Sequence, residues 1–221
     1  GTLASPLSSI QTAINAATDG DTVSVAAGTY VENINFNGKN ISVIGADSSN
    51  TIIDGDSSGS VVTFSSTENS LALLKNFHIK NGYLSTQQDA GAGIHCADGT
   101  NPTLKNLIVS NNIDATHGNS AGGIKFKPDS GDTLRVSGSV IRNNIGIWGG
   151  GGLLTRGDGV TLLNNVDIKG NSSNSGAGIK IESGIYIFDN VTIINNASIS
   201  GNTANTVGGG GIDISNATLY L

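Results

Sequence analysis

The chain has 221 residues, a net charge of −6 and only 13% charged residues, about half the usual share, which makes it a poor partner for nucleic acid or an anionic membrane. Its 37% hydrophobic content excludes intrinsic disorder. The single Cys96 excludes an internal disulfide, and no apolar run approaches the ~20 residues that cross a bilayer.

The length suits one domain, or a solenoid of roughly seven or eight coils. With so few charges the surface must be rich in Asn, Ser and Thr, a composition that suits a secreted protein. The lack of any Met and the opening Gly1 read as a processed or excised product, a fragment of a longer chain.

In chain order, Ile10, Ala13, Ile14 and Ala17 recur at the spacing of one helical face. This predicts a short amphipathic helix over residues 9–17, placed to cap the first coil and shield its open edge. Asp19-Gly20 ends it, and Thr22–Val25 alternates as a strand. Further strands are expected at Ile34–Phe36, Ile41–Ile44, Thr51–Ile53, Val61–Phe64 and Leu71–Leu74, with Asn37-Gly38 and Asp54-Gly55 as turns.

From about residue 77 a repeat takes over, most regular across residues 91–221. The pairs Gly93-Ile94, Gly123-Ile124, Gly152-Leu153, Gly178-Ile179 and Gly211-Ile212 are separated by 30, 29, 26 and 33 residues. Half a period later, Asn76-Phe-His-Ile-Lys-Asn81, Asn106-Leu-Ile-Val-Ser-Asn111, Gly138-Ser-Val-Ile-Arg-Asn143, Asn165-Val-Asp-Ile-Lys-Gly170 and Asn190-Val-Thr-Ile-Ile-Asn195 align without gaps. Such a period marks a solenoid whose units bury their apolar sides only by stacking. Rungs stacked roughly 4.8 Å apart would let Asn112, Asn144, Asn171 and Asn196, or the register of Asn81, Asn111, Asn143 and Asn195, bond in ladders. The fold expected is an all-β, single-domain parallel β-solenoid over residues 1–221. Its last segment, Ile212–Leu221, begins another coil and would leave an unpaired edge, open to end-to-end self-association.

Ile10–Ala17, Asp19-Gly-Asp-Thr-Val23, Ala27-Gly-Thr-Tyr-Val-Glu32, Ile41–Gly45 and Thr51–Gly55 together resemble the opening of right-handed parallel β-helix proteins of the pectin-lyase-like superfamily. The Gly-Gly-Ile and Asn-x-x-Ile-x-Asn-Asn repeats are similar to those of polymorphic outer-membrane and other cell-surface β-helix proteins. The resemblance spans nearly the whole chain and implies a right-handed coil at an extracellular or cell-surface location. It leaves function open, because that superfamily holds lyases, hydrolases, esterases, tailspikes and noncatalytic adhesins. The catalytic segments of pectin methylesterases and polygalacturonases, and the calcium cluster and catalytic Arg of the main pectate lyases, have no counterpart here.

Alternation assigns the strand faces. After each glycine pair, His95, Lys125, Leu154, Lys180 and Asp213 should form one outward column, and Ala97, Lys127, Arg156, Glu182 and Ser215 a second. Four of eleven basic residues then meet on one strip, where neighbouring like charges repel by about 1 kcal/mol in water. Lys125, Lys127, Arg156, Lys180, Glu182 and Asp213 are therefore the candidate glycan-binding residues. The expected function is an adhesive, structural or glycan-binding module that meets a polysaccharide or cell-surface glycan. The alternative is a lyase on a uronate polysaccharide, with Lys125, Arg156 or Lys180 taking the α-proton or stabilising the enolate. No cofactor is expected. A calcium ion between the turns at Asp98-Gly99, Asp129, Asp132 and Asp158-Gly159 is the one metal site considered, against local backbone bonding by those carboxylates.

A second strip carries His78, Lys80, Arg142, Asp167 and Lys169, interrupted by Ile108, Val140 and Ile194, and reads as a covered face. His95 and His117 read as surface histidines without an evident carboxylate or Ser partner. Cys96 reads as a small buried hydrophobe. Trp148 reads as a packing residue or a platform for a sugar ring. The runs Gly149–Gly152 and Gly208–Gly211 read as places where backbones approach closely.

Overall fold

The computed structural model describes residues 5–86, 89–116, 118–194, 197–198 and 210–221. These form a parallel β-solenoid of about six turns, slightly fewer than length alone suggests. Three parallel sheets run along the stack, with seven, twelve and five strands. The seven-stranded sheet contains Ile34–Asn35, Val62–Phe64, Ile94–Cys96, Ile124–Phe126, Leu153–Thr155, Ile179–Ile181 and Ile212–Ile214. The predicted glycine-pair strands thus lie on successive rungs, Ile94 opposite Ile124, then Leu153, Ile179 and Ile212.

The twelve-stranded sheet bends once in every coil. In the earlier coils the bend separates two short strands, Leu73–Lys75 from His78–Lys80 and Thr103–Lys105 from Ile108–Ser110. Later coils carry it inside single long strands, Thr133–Arg142, Val160–Lys169 and Gly184–Ile194. Asn76, Asn106, Gly138, Asn165 and Asn190 hold the corner with φ between 51° and 64°. That left-handed region is open to Asn and Gly at low cost. Asn81, Asn111, Asn143 and Gly170 form a second such corner, so the first Asn of each pair sets a turn.

The second Asn of each pair forms the ladder. Asn112 Nδ2 donates to Asn144 Oδ1 at 3.0 Å, and Asn144 Nδ2 to Asn171 Oδ1 at 3.0 Å. All three residues are fully buried. The same amide nitrogens also donate to the carbonyls of Ile79, Val109 and Ile141. Asn196 lies outside the described residues.

Inward residues stack in columns because the strand period of two keeps one face buried on every rung. One buried column runs Phe36, Phe64, Cys96, Phe126, Thr155 and Ile181, and continues to Ile214, which is exposed on the last rung. Phe36 and Phe64 pack with ring centroids 4.3 Å apart. Cys96 fits between Phe64 and Phe126, fully buried and free. The Thr155 hydroxyl meets the Tyr186 hydroxyl, which also bonds the Ser183 carbonyl, so a polar atom in the core is satisfied.

The helix spans Ile10–Ala16, within the predicted 9–17, with Ser9 as N-cap and Ile10 and Ile14 buried on the first coil. Glu32 accepts from the Ser9 hydroxyl and the backbone N–H groups of Ile10 and Gln11, at 2.8–2.9 Å. At the other end Lys39 Nζ donates to the carbonyls of Ile14, Asn15 and Ala17. A carboxylate at the N-terminus and an ammonium at the C-terminus oppose the helix dipole in the favourable sense.

Candidate functional site

The two outward columns predicted from alternation are in register. His95, Lys125, Leu154, Lys180 and Asp213 are consecutive Cα partners. One residue past each strand, the N–H groups of Lys127, Arg156, Glu182 and Ser215 bond the carbonyls of Cys96, Phe126, Thr155 and Ile181, which extends the ladder through the second column. All six predicted site residues therefore share one face of the seven-stranded sheet.

That face is partly covered, because the chain entering each strand folds back across the strand's outer surface. Gly91 and Gly150 make the overlap sterically feasible: a Cβ on Gly91 would strike the Ile94 carbonyl and the Lys125 nitrogen, and one on Gly150 the Leu153 carbonyl. Lys125 and Leu154 are consequently buried on an outward column. Lys125 Nζ contacts the Asp89 carboxylate, carried by this overlying segment.

Each cation of the strip has a carboxylate. Lys127 pairs with Asp98 at 2.9 Å and with Asp89 at 3.5 Å. Glu182 receives both Arg156 Nε and Lys180 Nζ at 3.0 Å. Lys180 also donates to the Trp148 carbonyl. Asp213 accepts from Ser175 Oγ at 2.6 Å. Four cations thus face the four carboxylates of Asp89, Asp98, Glu182 and Asp213, and the strip is formally neutral. Burial pushes the Lys125 ammonium down to about 7, assisted by the charges of Lys127 and Arg156 and opposed by Glu182. His95 is also held below its ordinary value, first by burial; Asp98 opposes this and Lys127 adds to it. Its buried Nδ1 has no partner.

Two of the carboxylates weighed for calcium, Asp132 and Asp98, take part in other bonds. Asp132 accepts from the Gly99 and Asp129 N–H groups and from Asn101 Nδ2. Asp98 serves Lys127. Among the described residues no three His, Cys, Asp or Glu side chains converge as a metal site. Trp148 is 44% exposed beside the strip. His117 lies outside the described residues.

The second strip brings together residues that the sequence reading left as a covered face. His78 stands on the rung before Ile108, and Lys80 on the rung before Ser110, with Arg142 and then Lys169 next in that column. His78 Nε2 bonds Ser110 Oγ at 2.7 Å. Lys80 pairs with Asp54 at 3.1 Å, and Asn81 Nδ2 also donates to that carboxylate. Lys169 pairs with Asp167 at 3.2 Å. Arg142 has no carboxylate partner among the described residues, and its buried Nε has no acceptor. Ser110 and Asp54 were legible only as a strand residue and a turn residue; their roles come from neighbours about 30 residues away.

At the far end a half-open pocket of about 400 Å³ is lined by Phe188, Asn190, Val191, Ile193, Ile212 and Leu221. No helix among the described residues is long and apolar enough to cross a membrane.

Fold and site together define a parallel β-solenoid with one helical cap and a charge-balanced outer strip. No family model, curated protein or solved structure matches the chain.

Proposed function

We propose that this protein is a secreted or cell-surface β-solenoid acting as an adhesive, structural or glycan-binding wall without catalysis. The observation that carries this reading is the pairing on the predicted strip, where every cation is matched to a carboxylate or covered by an overlying segment. A catalytic centre gains from charges aimed at the reacting atoms. These charges are aimed at one another. What remains open to a ligand is a flat run of Lys127, Arg156 and Trp148, which suits a sugar chain laid along the stack.

The right-handed sense and a place among the pectin-lyase-like β-helices belong to the same proposal. The opening motifs support the second, and the strong preference of parallel crossovers for one hand supports the first. End-to-end self-association through the C-terminal coil is part of the same proposal, and a mass that rises with concentration in light scattering would bear it out.

A uronate lyase is the second reading, favoured by Lys125, whose amine is poised near neutrality beside Arg156. Pectate, alginate and glycosaminoglycans, each followed at the absorbance of the unsaturated uronate, test both readings. Binding on a glycan array without rising absorbance supports the wall. Rising absorbance that disappears in Lys125→Ala or Arg156→Ala rejects it.

A further inference from the structure

The outer face around Ser110 differs from the predicted strip in its charge balance. Three cations, Lys80, Arg142 and Lys169, meet two carboxylates, Asp54 and Asp167, and these are taken by Lys80 and Lys169. Arg142 is left over in a protein whose net charge is −6. Its Nε is a charged donor withdrawn from water with nothing to accept from it. A buried donor of this kind calls for a partner, because leaving it unmet costs more than a hydrogen bond returns.

The surroundings define what that partner would be. Lys80 and Arg142 stand two rungs apart, roughly 10 Å, with the short side chain of Ser110 between them. Ser110 itself is buried. His78 reaches across to Ser110 Oγ. The polar groups on this face are the Arg142 guanidinium with its unmet Nε, the Lys80 ammonium held by Asp54, and the His78 imidazole and Ser110 hydroxyl bonded to each other. A group with several acceptor oxygens and more than one negative charge would meet the guanidinium first and add to the partners of the ammonium and imidazole.

We propose that Arg142, Lys80, His78 and Ser110 form a binding site for a tetrahedral oxyanion, a sulfate or phosphate monoester on a ligand. The site lies on a different sheet from the Lys125 strip and does not depend on the wall or lyase readings. Glycans carrying such an ester are the ligands that would join it to the proposed function.

His78 reports on occupancy. Burial lowers its pKa, Lys80 and Arg142 lower it further, and Asp54 acts against them. Asp167 and Lys169 complete the charged groups on this face. An anion at Arg142 stabilises the imidazolium, so binding raises the His78 midpoint, and protonation of His78 strengthens binding by the same factor.

The test is a pH titration of the histidine ring signals by NMR, in sodium sulfate and in sodium chloride at equal ionic strength. The expected result is a His78 midpoint higher by about one unit in sulfate, with His95 unmoved. Arg142→Gln should abolish the difference. If that variant does not fold, Lys80→Met should reduce it. Equal midpoints in the two salts for the unmodified protein overturn the proposal, as does a shift that survives in folded Arg142→Gln. Glucose 6-sulfate and glucose 6-phosphate then separate the two sources by which one moves His78. A site that answers to inorganic sulfate but to neither ester overturns the assignment to a monoester.

Discussion

Asn144 Oδ1 accepts from both the backbone N–H and the side-chain amide of Asn112, at 3.1 and 3.0 Å, entirely out of contact with water. Asn171 does the same for Asn144 on the next rung. Asn144 and Asn171 therefore each satisfy two donors of the preceding rung, whereas Asn112 accepts one, the Gly82 N–H. Asn144→Ala leaves the Asn112 N–H without its acceptor and opens a small void in the stack. The expected loss is about 3 kcal/mol, read as a lowered denaturant midpoint. Asn111→Ala, one position earlier, removes only an exposed left-handed Asn and should cost about 1 kcal/mol. Equal losses would contradict the division of the Asn pairs into a turn residue and a ladder residue.

The helical cap is held by its two charged clamps more than by its seven residues, since an isolated helix of that length is unstable in water. Glu32→Ala removes the acceptor for three donors, and Lys39→Ala uncovers three carbonyls. Each change should destabilise the protein by about 1–2 kcal/mol. Hydrogen exchange should show the faster opening confined to the helix and the first coil. Uniformly faster exchange along the whole stack would contradict a local cap.

Cys96 is sealed between Phe64 and Phe126, and burial pushes its thiol well above the ordinary range, with the Glu68 charge adding to the shift. The thiolate is the reactive form. Ellman's reagent should therefore leave the native protein unlabelled at pH 8 and label one thiol per chain in denaturant. Fast native labelling would mean that the core column opens between rungs.

Periodicity explains which parts of this architecture were legible in the sequence. A residue's rung and face follow from the glycine pairs and from alternation, so the columns through Lys125 and Lys127 are legible in the sequence. What lies over those columns has no period. Asp89 and Asp98 sit in connecting segments, and nothing local marks them as partners of Lys125 and Lys127. Gly150, in the run Gly149–Gly152, signalled close approach without saying to what, and Gly91 carried no such signal. On the other strip, Ile108 and Val140 suggested cover, yet the decisive feature was a mismatch in charge count. Such a mismatch is visible only once Asp54 and Asp167 are each assigned to a lysine.

Lys125 makes the strip testable by pH. Its ammonium is driven down to about 7, chiefly by burial, whereas in the unfolded chain a lysine titrates near 10.4. Between those values the unfolded state holds the extra proton, so stability should rise as pH increases from about 7 to about 10. Below that window the folded state carries the full cost of a covered charge. The Asp89 contact acts in the opposite sense, but its carboxylate is 48% exposed and screened by water. Lys125→Met keeps the bulk and removes the charge, leaving Asp89 solvated. The variant should be at least as stable as the native protein at pH 7, in line with replacements of buried ion pairs by apolar groups. Its denaturant midpoint should also change less between pH 7 and 10. A variant much less stable at pH 7, with the pH slope unchanged, would mean that the Asp89 pair holds the overlying segment in place and outweighs the cost of burial.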